Sequence, residues 1–464
     1  MRSTSSSRSR TNFSTTETQT RHTMKVSKYN HKRMEDGGIF LLNTASNELV
    51  IMIPEIARLF LENEGDPDMI RARHPEFYDY LCQKGFLVDG EKDETEAVRE
   101  RLLEKAASRS TFRMTVNPTL YCNMRCWYCY EGHESRDVMG PETVEAVLNL
   151  SGKIAGSGEY RHLSVSFFGG EPLLGYEQAV APIMRGTAAI CNAAGMGVSY
   201  HFTTNAFLLD DRMLRDMEGS DVTFQITLDG NQRLHNTIRR TREKQPTYDT
   251  IVGNIRKLLD LQRKVQVRLN YTCKSLPAFV DVLDDFAGIP EPQKKLVSFD
   301  FQRVWQDRTG SFEEVARQLR SLEEKFQEAG FSISSIDEIP SFMCYADMDS
   351  AAVVNYDGRV YKCTARDFTE KNADGRLKAD GEIEWNGISE KRKSVRLGGE
   401  TCGDCKLFPL CHGGCSQRWL DYGRKTGCVK GYGASDIEEL LNRHVEFLVS
   451  RMRKNTGQNA GGAA

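Results

Sequence analysis

The stretch "FRMTVNPTLYCNMRCWYCYEGHE", residues 112–134, joins a β-rich run to three cysteines, Cys122, Cys126 and Cys129, at a C-x3-C-x2-C spacing. Five further β-rich runs follow: "LSVSFFGGEP" from Leu163, "VSYHFTTN" from Val198, "VTFQITLDG" from Val222, "VQVRLNYT" from Val265 and "VSFDFQRV" from Val297. Between them, stretches such as "PETVEAVLNLSGKIA" and "YDTIVGNIRKLLDLQ" carry apolar residues at helical spacing. Strands alternating with helices predict a parallel α/β architecture. Six such units are too few for a closed eight-unit barrel, so a partial (β/α)6 TIM-like barrel or an open sheet is expected. The cysteines, "GGEP", "TTN" and "TLDG" all follow strand ends, where parallel α/β proteins gather their sites.

The 464 residues allow two or three domains. Charged residues make up 27 % with a net charge of -3, so no global field favours nucleic acid or an anionic membrane. No apolar run reaches the roughly 18 residues expected of a membrane span, and neither partner is expected. Residues 1–24 begin with a Ser-, Thr- and Arg-rich segment without an amphipathic face, expected to be a disordered leader or sequence upstream of a start at Met24. No secretory apolar segment is present, which predicts a reducing, cytoplasmic setting and thiols rather than disulfides for the thirteen cysteines. Cys82, Cys191 and Cys273 lie among apolar residues and read as small core thiols.

Three cysteines on one loop pose a question of ligand count. Structural zinc is closed by four ligands, and His133 could supply the fourth. A [4Fe-4S] cluster wants one terminal ligand per iron, so three thiolates leave one iron open to a chelating small molecule.

C-x3-C-x2-C with Tyr128 before the last cysteine, after a first strand, resembles the radical S-adenosylmethionine superfamily. The resemblance implies a [4Fe-4S] cluster on Cys122, Cys126 and Cys129. The cosubstrate S-adenosylmethionine would chelate the fourth iron and yield a 5'-deoxyadenosyl radical that abstracts hydrogen. It further implies cosubstrate contacts from Tyr128 and from Gly169, Gly170 and Glu171 of "GGEP". Thr204 and Asn205 would follow the third strand, and Thr227, Asp229 and Arg239 lie in "TLDGNQRLHNTIRR". His235 belongs to that segment, and Asn270 is a weaker match. The matching region spans about residues 112–305, and the ordered set is more specific than any one motif.

Seven cysteines crowd the last quarter: Cys344, Cys363, then Cys402, Cys405, Cys411 and Cys415 as C-x2-C-x5-C-x3-C, then Cys428. With His412 they could instead form a pair of zinc ribbons. The spacing resembles the SPASM domain. That implies a loop-rich iron–sulfur module with two auxiliary [4Fe-4S] clusters, three clusters in all. Cys344, Cys363 and Cys415 would hold the first auxiliary cluster, and Cys402, Cys405, Cys411 and Cys428 the second. Two cubes want eight ligands and seven cysteines are present, so one iron lacks a cysteine. An open iron could take a substrate thiolate, or Cys273 or an Asp could close it. Sulfatase-maturing relatives carry an extra cysteine after the first and an aspartate base after the second. Here "YADMDSAAVVNYDGRVYK" has no cysteine and Thr364 follows Cys363.

Ahead of the core, "GGIFLLNTASNELVIMI" predicts a hairpin, and "PEIARLFLEN" and "PEFYDYLCQKGFLVD" predict short helices and a final strand ending in Gly85. The order resembles small winged-helix-like α+β modules that bind the leader of a precursor peptide; a structural cap on the barrel is the alternative. The expected domains are 25–92 (recognition module), 93–110 (charged linker helix), 111–330 (radical core), 340–445 (SPASM) and 446–464 (helix end and loose tail). The resulting expectation is a radical peptide maturase. It would abstract hydrogen from a ribosomal precursor peptide and form a thioether, or a carbon–carbon link, using a flavodoxin- or ferredoxin-type reductant. The alternatives are an anaerobic sulfatase-maturing enzyme making formylglycine and a non-enzymatic iron–sulfur electron carrier or sensor. No general base is assigned.

Overall fold

The computed structural model describes residues 23–132, 135–334, 343–423 and 427–460. The leader up to residue 22 and His133 lie outside them. The chain divides into two compact units, Met1–Ala97 and Val98–Ala464. Among the described residues no helix is long and apolar enough to cross a membrane.

In the first unit, β1 (Met24–Val26) pairs antiparallel with β5 (Leu87–Asp89). A separate antiparallel sheet has the order β2 (Asn30–Glu35), β3 (Gly38–Asn43), β4 (Glu48–Met52). The predicted hairpin is β3–β4; β2 escaped notice because "NHKRME" has no apolar alternation. Helices α1 (Pro54–Glu62), α2 (Asp68–Arg73) and α3 (Pro75–Gln83) follow. Proline opens α1 and α3, where its missing N–H is no loss, and the His74 ring nitrogen accepts from the Phe77 N–H at the start of α3. The core is Ile39, Leu41, Met52, Phe60, Leu81 and Phe86. One expectation is corrected: Gly85, at φ +80°, ends the helical segment rather than a strand, since its left-handed backbone turns the chain from α3 into β5. α4 (Glu94–Ala106) follows, and the boundary between the two units falls within it.

The second unit runs β6 (Thr111–Asn117), α5 (Pro141–Gly156), β7 (His162–Phe167), α6 (Ala181–Ala193), β8 (Gly197–Thr204) and α7 (Asp211–Asp216). Next come β9 (Val222–Leu228), α8 (Gln232–Ile238), α9 (Tyr248–Asp260), β10 (Lys264–Tyr271), α10 (Glu291–Lys294) and β11 (Val297–Arg303). All six predicted strands form, side by side, parallel and in chain order from β6 to β11. After α11 (Phe312–Glu328), the short β12 (Ser332–Ile333) extends the β11 edge.

Each strand separates two faces. On β9, Val222, Phe224, Ile226 and Leu228 are buried, and with Phe167 and Phe202 they form the core under the helices. The opposite face is half-buried and polar: Thr115, Ser166, His201 and Thr223 stand in one register row across four strands. Such a polar face leaves room for a hydrophilic ligand at the strand ends.

The C-terminal segment is not separate from this sheet. β13 (Ala351–Asn355), wholly buried, pairs parallel with β6, and β14 (Arg359–Tyr361), β15 (Gly375–Leu377) and β16 (Ile383–Trp385) continue antiparallel. Among the described residues the sheet therefore has eleven strands. α12 (Gly387–Val395), α13 (Phe408–Cys411), α14 (Ser416–Tyr422) and α15 (Ala434–Ala460) complete the unit, and α15 runs into the segment expected to be loose.

Candidate active site

The site lies on the loops after β6, β7, β8 and β9. After β7 the chain turns through Gly169 (φ +81°) and Gly170 (φ +39°). A side chain at Gly170 would place its Cβ 2.2 Å from the Tyr121 carbonyl oxygen, so only glycine lets "GGEP" lie against the loop that carries Cys122. The Glu171 N–H then donates to the Tyr121 carbonyl at 2.9 Å, and the Gly170 N–H donates to Glu131 at 2.6 Å.

Glu171 is fully buried. Its carboxylate accepts from the Thr204 hydroxyl (2.6 Å), the Asn205 N–H (2.7 Å) and the Leu173 N–H (3.0 Å). Burial raises its pKa, and these three donors oppose the rise. The Asn205 side-chain amide donates to Asn123 at 2.8 Å and lies 3.8 Å from the Cys122 sulfur. Glu171, Thr204 and Asn205 thus form one cluster beside the cysteine loop.

A second cluster closes on Tyr128. Its hydroxyl donates to Asp229 at 2.5 Å and accepts from Arg239 at 2.8 Å and from the Asn270 amide at 3.2 Å. His235 is buried; its Nδ1 accepts from the Asp229 N–H at 3.3 Å, and its Nε2 lies 3.1 Å from the Thr247 hydroxyl. Burial, with Arg239 nearby, holds His235 well below the ordinary imidazole pKa. Thr227 is half-buried on β9 in register with Arg268. Among the described residues, the buried polar atoms here without a hydrogen-bond partner include Asp229 Oδ1, Arg239 Nε and Asn123 Nδ2. Buried orphans are rare and ask for an explanation. An acceptor and two donors beside three cysteines fit a zwitterionic, hydroxyl-bearing cosubstrate such as S-adenosylmethionine.

Cys126 lies close enough to raise the pKa of both Cys122 and Cys129. Burial, opposed by the Glu131 backbone N–H, pushes Cys129 up to about 11. Gathering thiolates is unfavourable without a cation, and cluster iron removes that cost.

The seven late cysteines fall into two groups. Cys363 and Cys415 both bear on Cys344, whose pKa burial raises to about 11, and Cys415 bears on Cys363. Cys402, Cys405, Cys411 and Cys428 line one cavity of about 180 Å³, closed by Leu407, Phe408, Val429 and Ile437. Among the described residues no three His, Cys, Asp or Glu side chains converge on a point for one metal ion. Cluster ligands each bind a different iron and stand farther apart.

Several neighbours escaped the sequence reading. Glu131 anchors the Gly170 N–H, Gln306 donates to the Tyr128 carbonyl at 2.8 Å, and Arg242 donates to the Cys122 carbonyl at 2.9 Å. Tyr130 stacks on the exposed Trp305, with ring centroids 5.4 Å apart, and donates to the Thr364 carbonyl. Only Glu131 carried a signal, its place two residues after Cys129.

Residues 116–273 match the family model described as Radical SAM superfamily. An uncharacterized protein of Methanocaldococcus jannaschii is 24 % identical over 261 residues, 54 % of this chain and 84 % of its own length. The fold matches the solved structure of native anSMEcpe with bound AdoMet and Kp18Cys peptide, at TM-score 0.56, 19 % identity and coverage of 75 % of this chain and 99 % of that one. It also matches Streptococcus suis SuiB bound to S-adenosylmethionine, at TM-score 0.50, 16 % identity and coverage of 87 % and 99 %. The three-cysteine loop, the fold and the family match agree: this chain carries a radical SAM superfamily domain.

Proposed function

We propose that the protein is a peptide maturase that takes a hydrogen atom from a precursor peptide and closes a cross-link in it, a thioether in preference to a carbon–carbon bond. The observation that carries this reading is the grouping of the late cysteines, three beside one another and four around one cavity. Two further clusters suit a reaction that must remove a second electron or hold a thiolate while the new bond forms.

When bound to Cys122, Cys126 and Cys129, a [4Fe-4S] cluster with S-adenosylmethionine supplies a 5'-deoxyadenosyl radical. The chain's own residues do the positioning. Glu171, held by Thr204 and Asn205, offers a carboxylate to the cosubstrate's ammonium group. Arg239 offers a guanidinium to its carboxylate, and Asp229 an acceptor to its hydroxyls. Tyr128 bridges Asp229 and Arg239 through its hydroxyl, and the charged atoms of the pair lie 3.9 Å apart.

The fold that holds AdoMet and a peptide in anSMEcpe supports a peptide substrate. So does the exposed aromatic rim of Trp127, Tyr130 and Trp305 on and beside the cysteine loop. A leader peptide would add to an edge of the β2–β3–β4 sheet. Formylglycine formation is disfavoured by Thr364, which stands where those relatives place a carboxylate base and whose hydroxyl lies 2.7 Å from that of Tyr345.

The test is anaerobic coexpression with a short cysteine-containing reading frame encoded beside the gene, followed by mass spectrometry. The expected product has lost two hydrogens and resists fragmentation between a Cys and a distant residue. Loss confined to one residue that then reacts with a hydrazine would mean formylglycine and overturn the proposal.

A further inference from the structure

On the polar face of the barrel strands stands an arginine without a counter-charge. We propose that Arg268 is a specificity-determining residue that binds a carboxylate of the substrate peptide, supplied by an acidic side chain or by the C-terminus; the inference rests on the peptide-maturase reading above.

Arg268 lies on β10 between Val267 and Leu269, both buried in the core, so its side chain belongs to the opposite, polar face. Its Nε donates to the Asn270 side-chain oxygen at 3.0 Å, and the Asn270 amide donates in turn to the Tyr128 hydroxyl at 3.2 Å. These two bonds join Arg268 to the cosubstrate cluster. Its charge favours ionised Asp229 in that cluster and ionised Tyr130 on the aromatic rim, so it stands within electrostatic reach of both.

The register makes its isolation informative. Arg268 lies beside Thr227 on one neighbouring strand and beside Asp300 on the other. Opposite charges so placed attract, yet these two do not pair. The Gln302 amide donates to Asp300 at 2.7 Å, Asn270 holds the Arg268 Nε, and among the described residues Arg268 forms no ion pair. Its outer nitrogens, Nη1 and Nη2, have no hydrogen-bond partner there either, and they are not sealed from solvent.

A guanidinium with both outer nitrogens open is the fork that meets a carboxylate through two parallel hydrogen bonds. The cosubstrate's own carboxylate has Arg239, buried in the Tyr128 cluster with its Nε unpaired. The carboxylate left for Arg268 is the peptide's.

The test uses full-length protein reconstituted anaerobically with iron and sulfide and left unreduced, with S-adenosylmethionine present, so that binding is read without turnover. The probe is the short peptide encoded beside the gene. It is used in its natural form, amidated at its C-terminus, and with each Asp or Glu changed singly to Asn or Gln. Calorimetry reads the affinity of every form for wild type, Arg268→Gln and Arg268→Lys, and equilibrium dialysis reads that of S-adenosylmethionine. One altered form should bind wild type about 10- to 100-fold more weakly than the natural peptide. Which form it is tells the C-terminus from a side chain, and this arm needs no variant to fold. Arg268→Gln should show that same loss with the natural peptide and no further loss with the altered one. Arg268→Lys should recover part of it, as a charge without the fork. A second loss of equal size in Arg268→Gln, or a loss of S-adenosylmethionine affinity in place of peptide affinity, would overturn the proposal. If wild type binds every form alike and still modifies the natural peptide, the proposal is wrong and the maturase reading stands. If wild type neither binds nor modifies the peptide, both fall.

Discussion

Replacing Gly170 with alanine should damage the protein in a way that tests how the site is built. The new Cβ would lie 2.2 Å from the Tyr121 oxygen and 2.6 Å from the Leu120 carbonyl carbon. Relieving that overlap takes a backbone movement of about 1 Å. The atoms that must move belong to the strand-to-loop segment directly before Cys122, which the Glu171 N–H also holds through the Tyr121 carbonyl. They cannot swing aside like the end of a side chain. Alanine at φ +39° adds the left-handed penalty of about 1–2 kcal/mol, and the overpacking costs about 1–3 kcal/mol. The expected loss is therefore about 2–5 kcal/mol, with reduced iron on the adjacent loop. Gly152→Ala is the control. It sits in α5 with open space around its Cβ position, and should gain about 0.5–1 kcal/mol from helix propensity. Anaerobic urea unfolding reads the stability and colorimetric iron reads the loading. Gly170→Ala within about 0.5 kcal/mol of wild type, carrying full iron, would refute the reasoning.

Two further outcomes follow from the buried groups. Glu171→Gln puts an amide that donates opposite groups that also donate; it should cost about 1–3 kcal/mol and weaken S-adenosylmethionine binding, which equilibrium dialysis measures, with unchanged affinity contradicting the role. His235 is held neutral in the fold, so the unfolded chain binds the extra proton below its own pKa of about 6.5. Stability should be flat above that pH and fall below it by at most about 1.4 kcal/mol per pH unit for this histidine. His235→Gln should flatten that slope in urea titrations at pH 5.5–7.5, and an unaltered slope would place the proton elsewhere.

The barrel strands were legible because each alternates a buried apolar face with a polar one; "VTFQITL" of β9 states its two faces in seven residues. Chemistry on the first loop was legible because thiols at fixed spacing have few other uses. What escaped depends on distant chain segments meeting. "AAVVN" of β13 reads as an apolar strand, but nothing local says that it pairs with β6, more than two hundred residues earlier. Gln306 and Arg242 are ordinary polar residues until folding brings them to the carbonyls of Tyr128 and Cys122. Gly85 misled because a glycine between a helix and a strand can end either, and only its backbone angle decides.

The most direct test of the central claim follows one hydrogen atom. The reduced, reconstituted protein is incubated with S-adenosylmethionine and the neighbouring precursor peptide, deuterated at its carbon-bound positions, and the 5'-deoxyadenosine formed is weighed. The account predicts 5'-deoxyadenosine carrying one deuterium, with the peptide losing the matching atom. 5'-Deoxyadenosine without deuterium, from a peptide that emerges unmodified, would contradict it.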